Sequence, residues 1–149
     1  MKVQDLLKEK NRAVLTIAGN RSVDDAVNLM AIKKAGALIV TENERPVGIF
    51  TERDVIRFYL KNNTTALSQI AVQDAMTAKR ITAKPEDEIS AALTVMTRAD
   101  ISHMPVVEDN TIIGILILKD LVTHQIESLT DEIQQLRDYI EDLHEAGRD

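Results

Sequence analysis

The feature of this sequence that most restricts its fold is an internal repeat with a period of 66 residues. Residues 15–56 align with residues 81–122 without a gap, and eight of the 42 aligned pairs are identical. Ordinary residue usage predicts only about two or three identical pairs by chance. Among the identical pairs, Gly48 recurs as Gly114 and Asp54 recurs as Asp120. A repeat of this regularity predicts two copies of one structural unit.

Within each copy, the pattern of apolar residues and turn residues predicts a β-α-β-β-α unit. In the first copy, Ser22 and Asp25 have the spacing of a helix N-terminus, and Gly36 is expected to end that helix. Two short strands over 37–40 and 47–50 then precede a second helix. The second copy predicts a helix over 87–99, strands over 104–107 and 112–117, and a helix from Lys119.

A single unit of this kind has a marginal hydrophobic core, because about 55 residues bury too little apolar surface. We therefore expect the two units to pack sheet to sheet, each opened by a short strand near Thr16 or Thr82. The fold class is α/β (α+β), with a long C-terminal helix in addition. The expected boundaries are 1–62 for the first repeat with an N-terminal helix, 69–124 for the second repeat and 125–149 for the C-terminal helix, with the polar residues 62–68 as the linker.

The composition excludes several classes of function. The chain has no cysteine, which excludes disulfides and thiolate metal sites, and it contains no spaced metal ligands and no catalytic motif. The net charge of −6 and the aromatic content of 3% argue against a nucleic-acid binder. Apolar stretches such as Ile112–Leu118 are too short to span a bilayer, and Met1–Asp5 lacks the apolar core of a signal peptide. We therefore expect a cytoplasmic protein without membrane association that is not an enzyme.

The stretch Gly48–Asp54 carries the residues best suited to bind a ligand. Gly48 permits close approach to the backbone of the second strand, and Thr51 supplies a hydroxyl. Asp54 lies in the first turn of the next helix, where its carboxylate can accept two hydrogen bonds from a ribose diol. The helix N-terminus and Arg53 offer donors and positive charge to a phosphate. The alternative is that Thr51 and Asp54 only cap the helix, and the repeat leaves that alternative open.

Both copies resemble cystathionine-β-synthase (CBS) domains, and the tandem resembles a Bateman module. The resemblance covers residues 3–124 and rests on Gly48-x-x-Thr51-x-x-Asp54, on Ile101–Glu108 leading to Gly114 and Asp120, and on Met76-Thr77 with Thr82-x-x-Pro85. It implies a regulatory module that binds adenosine-containing ligands in the cleft between the copies. These ligands are AMP, ADP or ATP, and in some members NAD or S-adenosylmethionine. The nucleotide is then a ligand, and no obligatory cofactor is implied.

The resemblance also implies a first pocket, because the family combines the early part of one copy with the Thr-x-x-Asp of the other. Carried over to this chain, the pocket contains Thr51, Arg53, Asp54, Lys84, Ile89, Ile101, Ser102 and His103. Asp54 is expected on the ribose, with Ile89 and Ile101 beside the adenine. The residues expected near the phosphates are Thr51, Arg53, Lys84 and His103. For His103, a purely structural role before a strand remains an alternative.

A second pocket is expected to be weak or empty. By the same mapping it contains Ala18, Val23, Ala35, Gly36, Ala37 and Asp120. Ile117 stands where the first pocket has the hydroxyl of Thr51, and Ala18 stands where it has Lys84. Fewer polar contacts to a phosphate are therefore expected there.

The C-terminal segment predicts a helix with one apolar stripe. Residues of this stripe alternate spacings of three and four: Ile126, Leu129, Ile133, Leu136, Ile140 and Leu143. Ile at heptad position a with Leu at position d favours a parallel two-stranded coiled coil, so we expect a homodimer. Three heptads are few, and packing of the stripe on the folded units of the same chain or of a partner is the alternative.

These observations support two hypotheses of different class. In the first, the chain senses an adenine nucleotide and relays its binding to a separate, unknown effector protein. In the second, the chain is a structural or dimerisation scaffold whose pockets are vestigial. The intact pair of Thr51 and Asp54 favours the first hypothesis, whereas Ile117 shows that such a pocket can lose its polar groups.

Overall fold

The computed structural model describes residues 1–61, 66–78 and 81–147, and it contains two α/β units. The first unit consists of β1 (Thr16–Ala18), α2 (Val23–Lys33), β2 (Ala37–Glu42), β3 (Arg45–Thr51) and α3 (Glu52–Lys61). The second unit consists of α5 (Ile89–Ala99), β4 (His103–Glu108), β5 (Thr111–Ile117) and the start of α6 (Leu118–Ala146). Two short helices precede the units, α1 (Val3–Lys10) and α4 (Val72–Ala75), and a 3₁₀ turn at Leu67–Gln69 leads into α4.

The 66-residue repeat predicted from the sequence is confirmed down to single backbone positions. Helices α2 and α5, and the hairpins β2-β3 and β4-β5, begin and end at positions 66 residues apart. Each hairpin turns through two residues with positive φ, Asn43-Glu44 and Asp109-Asn110, the geometry that a two-residue hairpin prefers. Both hairpins also shift register at the same place, after Val40 and after Val106.

The leading strand differs between the two units. In the first unit, β1 pairs parallel with β2, and the amide of Gly19 extends the ladder with a bond of 2.8 Å to the carbonyl of Thr41. In the second unit, the ladder is reduced to one parallel bridge between Ala83 and Val106. The repeat places Pro85 at the position of Gly19 and Pro105 at the position of Ile39, whose amide bonds the carbonyl of Leu15. Neither proline has an N–H with which to continue the ladder.

The two sheets face each other, as the sequence predicted. Ala37 and Ile39 of β2 and Ile49 of β3 form a buried cluster between the sheets. Val14, Ile112 and Ile115 pack against this cluster from the partly exposed side. Each unit also has its own larger hydrophobic core. The clefts described below lie at the edges of the packed layer between the two sheets.

Each of the short helices α1 and α4 packs into the core of the more distant unit. Helix α1 precedes the first unit but packs into the second, and α4 precedes the second unit but packs into the first. Val3 and Leu6 of α1 lie in the core of the second unit, and Val72 of α4 lies in the core of the first. The amide of Val3 bonds the carbonyl of Asp87, and the amide of Val72 bonds the carbonyl of Arg21. The units are therefore interleaved in space. The boundaries 1–62, 69–124 and 125–149 for the two repeats and the C-terminal helix stay a prediction. Residues 62–65 of the expected linker lie outside the described residues.

Helix α2 ends before Gly36, so the prediction that Gly36 terminates it was wrong. Lys34 adopts the left-handed conformation, with φ 52°, and its amide bonds the carbonyls of Met30 and Ala31. Gly36 lies in a bend directly before β2. Its missing side chain serves close packing instead, since a Cβ there would lie 2.9 Å from Nε2 of His103.

Helix α6 is 29 residues long and confirms the predicted C-terminal helix. Its first turns pack on the second unit through Leu118 and Leu121. The six residues of the predicted apolar stripe, from Ile126 to Leu143, are each 48–61% exposed in the single chain. Within the described part of the chain, none of the helices is both long enough and apolar enough to cross a membrane.

Candidate ligand clefts between the two units

A first cavity, of about 90 Å³, lies where the end of β3 and the start of α3 meet the second unit. One part of its wall is apolar and consists of Ile39, Ile49, Ile81, Ile101, Pro105 and Ile112. The other part carries polar and charged side chains, namely Thr51, Arg53, Asp54, Arg57, Thr77, Asp100, Ser102 and His103. The cavity therefore offers an apolar surface for a flat ring beside polar groups for a sugar or phosphate.

Asp54 is buried at the edge of this cavity, with an exposed fraction of 3%. Its Oδ2 accepts hydrogen bonds from the amide of Thr51, at 2.9 Å, and from the Thr51 hydroxyl, at 3.4 Å. Its Oδ1 accepts from the hydroxyl of Thr77, at 3.1 Å, and from Nη1 of Arg57, at 3.4 Å. The bond to the Thr51 amide is one half of a capping box, so Asp54 caps α3 and lines the cavity at the same time.

Arg53 connects the two units across the mouth of the first cavity. Its Nη1 donates to the backbone carbonyl of Asp100, at 2.6 Å, and lies 3.3 Å from the Asp100 carboxylate. Both side chains are substantially exposed, so this ion pair contributes little to stability in water. It nevertheless positions a guanidinium at the edge of the cavity, where it can exchange Asp100 for another anion.

Ser102 and His103 lie at the inner end of the cavity, just before and at the start of β4. The Ser102 hydroxyl is 2.8 Å from Nδ1 of His103. Burial lowers the pKa of His103 below its ordinary value of 6.5, with the charge of Glu52 opposing this shift and that of Arg53 adding to it. The imidazole is therefore neutral at physiological pH, and it can accept or donate a hydrogen bond without adding charge.

The first cavity is smaller than the 300–1,000 Å³ typical of small-molecule sites. Two contacts between its own side chains narrow it, the Arg53–Asp100 bridge and the contact of Arg57 with Asp54. Both arginine side chains are about half exposed. A ligand of nucleotide size therefore fits only if these arginines turn outward.

The structure brings together six of the eight residues predicted for the first pocket, and Lys84 and Ile89 were misplaced. Ile89 is the first residue of α5 and is 2% exposed in the core of the second unit. Lys84 follows the bridge at Ala83, and its amide bonds the carboxylate of Asp87 in the turn before α5. Ile89 therefore packs into its own unit, and neither residue lines the first cavity.

Sequence reasoning missed several residues that line this cavity, notably Ile81, Thr77 and Arg57. Ile81 takes the place predicted for Ile89, on the segment that leads into the second unit. Its repeat equivalent, Leu15, lines the second cavity described next, so the repeat itself could have identified Ile81. Arg57 lies three residues after Asp54 on α3, a spacing that brings two helical side chains together.

A second cavity, of about 340 Å³, lies at the related position on the other side of the inter-sheet layer. It is lined by Arg12, Ala13, Leu15, Lys33, Lys34, Ala35, Gly36, Ala37, His103, Ile115 and Ile117. Ala35, Gly36 and Ala37 are thus where the sequence placed them. His103 lines both cavities, because its ring rests on Gly36 between them.

The other three residues predicted for the second pocket are not part of this cavity wall. Asp120 is engaged by Arg12, whose Nη2 lies 3.1 Å from Oδ1 and whose Nε lies 3.2 Å from Oδ2. Val23 is fully buried in the core of the first unit as the first residue of α2, for the same reason as Ile89. Ala18 ends β1 at the surface and lines a different depression.

The fold and its clefts define a class of protein, a tandem pair of α/β units that pack sheet to sheet and enclose two related cavities. The family model of the CBS domain matches the chain twice, over residues 3–61 and 72–127. The chain therefore belongs to the CBS domain family, as the sequence motifs predicted, and it contains a tandem pair of these domains.

Relatives with curated descriptions include a plant protein and an enzyme. The mitochondrial CBS domain-containing protein CBSX3 of Arabidopsis thaliana is 32% identical over 148 residues, which cover 93% of this chain and 71% of that protein. An inosine-5'-monophosphate dehydrogenase of Nitrosopumilus maritimus is 33% identical over 111 residues, which cover 73% of this chain but 22% of the enzyme. The second match leaves most of the enzyme unmatched and carries no evidence of catalysis for this chain.

Solved structures share the fold. The CBS-domain containing protein ATU1752 from Agrobacterium tumefaciens has a TM-score of 0.79 at 30% identity, covering 84% of this chain and 99% of that one. A CBS domain protein from Pyrobaculum aerophilum complexed with AMP has a TM-score of 0.69 at 23% identity, covering 80% and 89%. A CBS domain pair in complex with 5-methylthioadenosine and S-adenosyl-L-methionine has a TM-score of 0.73 at 22% identity, covering 86% and 97%. The likeness to the two complexes shows the fold alone.

Proposed function

We propose that this chain is a regulatory module that binds an adenine nucleotide in the first cleft and acts on a separate partner protein. The observation that carries the proposal is the composition of the cleft wall, in which Asp54 and Thr77 line the same cavity as Ile81 and Ile101. An adenine ring fits the apolar side, and a ribose diol fits a carboxylate that accepts hydrogen bonds. Membership of the CBS family supports this assignment, since two proteins of the same fold were crystallised with adenosine compounds.

Binding of a nucleotide requires a rearrangement of the arginines in the first cleft. We expect the ribose hydroxyls to replace Arg57 on Oδ1 of Asp54, because the contact at 3.4 Å is the weakest that this oxygen makes. Arg53 then exchanges Asp100 for the phosphate, which is a better partner for a guanidinium than an exposed carboxylate. Arg53 and Asp100 belong to different units, so the exchange alters a link between the units. Such a change is the form in which binding can be relayed to a partner.

Calorimetric titration with AMP, ADP, ATP and S-adenosylmethionine tests the proposal. Wild-type protein should bind at least one of these ligands, and Asp54→Asn should bind it about 10-fold to 100-fold more weakly, since hydrogen bonds to a charged group contribute about 1.5–3 kcal/mol. The matched control is Asp120→Asn, the same substitution at the equivalent position of the repeat, which should leave binding in the first cleft unchanged. Circular dichroism checks that both variants are folded.

The alternative function is a dimerisation scaffold with vestigial clefts. The small volume of the first cavity and the saturated hydrogen bonding of Asp54 favour this alternative. Absence of binding at millimolar concentrations of all four ligands, together with an unchanged melting temperature, would contradict the sensor and leave the scaffold.

A further inference from the structure

The second cleft differs chemically from the first in the residue that contacts Asp120. The repeat maps Asp120 onto Asp54, but their partners differ. Asp120 pairs with Arg12, in the segment between α1 and β1. In the first cleft, the neutral hydroxyl of Thr77, in the segment that follows α4, donates to Asp54. The segment that leads into each unit thus presents a hydroxyl to the carboxylate in the first cleft and a bidentate guanidinium in the second, whereas Arg57 of α3 contacts Asp54 through one nitrogen, at 3.4 Å. This difference is independent of whether the first cleft binds a nucleotide.

Arg12 holds Asp120 in a bidentate ion pair. Two of its nitrogens, Nε and Nη2, lie 3.2 and 3.1 Å from the two carboxylate oxygens, the bidentate arrangement of a guanidinium with a carboxylate. The side chain of Asp120 is 11% exposed, whereas that of Arg12 is 52% exposed and lines the 340 Å³ cavity. A guanidinium has five N–H donors, so Nη1 remains directed away from this pair. A ligand that enters the second cleft therefore meets the cation and not the carboxylate.

The remaining charge at this cleft is also positive. Lys33 and Lys34 line the cavity with Arg12, and none of the described residues in its lining is acidic. Lys34 occupies the repeat position of Asp100, which in the first cleft forms the bridge with Arg53. A lysine cannot form that bridge with the equivalent of Arg53, which is itself a lysine, so the second cleft stays wider than the first.

We propose that Arg12 determines the ligand specificity of the second cleft, which binds a phosphate-rich anion and discriminates against an uncharged nucleoside. Three cations and an apolar floor of Leu15 and Ile115 suit clustered phosphate oxygens, for which arginine provides planar, bidentate donors. A ribose diol has no direct access to the carboxylate of Asp120. It would have to displace Arg12 from Asp120 and break both charge-assisted bonds before it reached the carboxylate. This proposal departs from the sequence expectation of few polar contacts to a phosphate in the second pocket, because that expectation did not include Arg12, Lys33 and Lys34.

Titration of the full chain with inorganic tripolyphosphate, and separately with adenosine, tests this inference. Wild-type protein should bind tripolyphosphate, with amide chemical-shift changes at Ala13 and Ala35–Ala37, and Arg12→Gln should weaken this binding at least 10-fold. Arg12→Gln should also gain an adenosine site at the same amides, because Asp120 is then accessible. The matched control is Arg21→Gln, which removes one charge from an arginine that pairs with Asp25 outside both clefts and should bind like the wild type.

Three results would overturn the inference: no tripolyphosphate binding by the wild type, equal binding by Arg12→Gln, or an equal loss in Arg21→Gln, which would indicate unspecific charge attraction. Lys34→Gln leaves the Arg12–Asp120 pair intact, so a loss of about 3-fold to 10-fold for this variant supports the anion site even if Arg12→Gln is poorly folded. Unchanged tripolyphosphate affinity in Lys34→Gln would contradict the anion site. Failure of the nucleotide site in the first cleft gives a different result: binding of AMP that depends on Asp54 is not observed.

Discussion

His103 lies at the point where the two clefts share a wall. Its ring lines both cavities and rests on Gly36, where any side chain would collide with Nε2. Ser102 contacts Nδ1, so the orientation of the ring depends on a neighbour that lines only the first cavity. A shift of this ring in one cleft therefore changes the surface of the other.

The lowered pKa of His103 predicts a pH dependence of stability. Burial favours the neutral ring in the folded protein, so the unfolded chain binds more protons between the folded pKa and 6.5. The free energy of unfolding should be greatest above pH 6.5 and should decrease as the pH falls from 6.5 toward the folded pKa. Urea denaturation between pH 5 and pH 8 measures this slope.

His103→Gln should flatten that slope, because the substitution removes the titrating group and keeps a polar side chain of similar size. The control is His144→Gln on the exposed end of α6, which should keep the wild-type slope. Equal slopes for wild type and His103→Gln would show that the burial of this ring does not control the titration.

At the scale of residues, members of the site were predictable where a sequence motif fixes their position along the backbone. Thr51, Arg53 and Asp54 follow from the start of a helix after a strand, whereas Ser102 and His103 were assigned by the resemblance to CBS domains. Ile89 could not be placed correctly, because the direction of a side chain at the start of α5 depends on which core that helix covers. Lys84 precedes that helix and was assigned to the pocket only by the resemblance. The salt bridge of Arg12 with Asp120 joins residues 108 apart in the sequence, and no local pattern predicts it.

At the scale of elements, the interleaved helices α1 and α4 explain the different surroundings of the two hairpin glycines. A Cβ on Gly48 would lie 2.7 Å from Sδ of Met76 and 2.8 Å from the carbonyl oxygen of Thr77. A Cβ on Gly114 would lie 2.7 Å from a terminal carbon of Leu7, at the end of a flexible side chain. The backbone of Thr77 can move less than the flexible side chain of Leu7, so the contact at Gly48 is harder to relieve than the contact at Gly114.

Gly48→Ala should therefore destabilise the protein by about 1–3 kcal/mol, the usual cost of overpacking. Thr77 cannot move freely, since it exchanges two backbone hydrogen bonds with Ile49, of 2.9 and 3.1 Å. Displacement of Thr77 should also move its hydroxyl away from Asp54 and weaken the binding of any ligand in the first cleft. Denaturation midpoints and an AMP titration measure the two effects.

Gly114→Ala is the matched control for this substitution. It should cost less stability, because Leu7 can change its rotamer, and it should leave the first cleft unaffected. A larger loss in Gly114→Ala than in Gly48→Ala would contradict the assigned role of the α4 segment.

The regular elements were predictable because the hairpins carry their own turn residues and each helix has an apolar face. The exchange of α1 and α4 between cores was not, since a short amphipathic helix does not specify the core that it joins. The shorter leading strand of the second unit could have been predicted from Pro85 and Pro105, because neither proline can donate a backbone hydrogen bond to the ladder.

At the scale of the whole molecule, the stripe on α6 is an apolar surface that the single chain leaves uncovered. Its six members, from Ile126 to Leu143, are about half exposed, and Ile56, Tyr59 and Leu60 of α3 are exposed as well. A contiguous apolar surface of this kind is typical of an interface. We therefore expect two copies to associate through α6, either as a parallel coil or with the stripe packed on the folded units of the partner.

Replacing both Leu129 and Leu136 with lysine should convert the dimer to a monomer at micromolar concentrations, because four charges would then face the seam. Sedimentation equilibrium measures the mass. Asp131→Lys with Glu145→Lys makes the same type of change at outer heptad positions and should preserve the wild-type mass. A monomeric wild type, or a dimer unaffected by the leucine substitutions, would contradict this assignment.

The most direct measurement is a crystal structure of the chain grown with saturating AMP. We predict one nucleotide in the first cleft, with its ribose hydroxyls within hydrogen-bonding distance of Asp54, its ring against Ile81 and Ile101, and the Arg53–Asp100 bridge broken. A first cleft that stays closed by that bridge, with Arg57 still on Asp54 and no AMP beside it, would contradict the account.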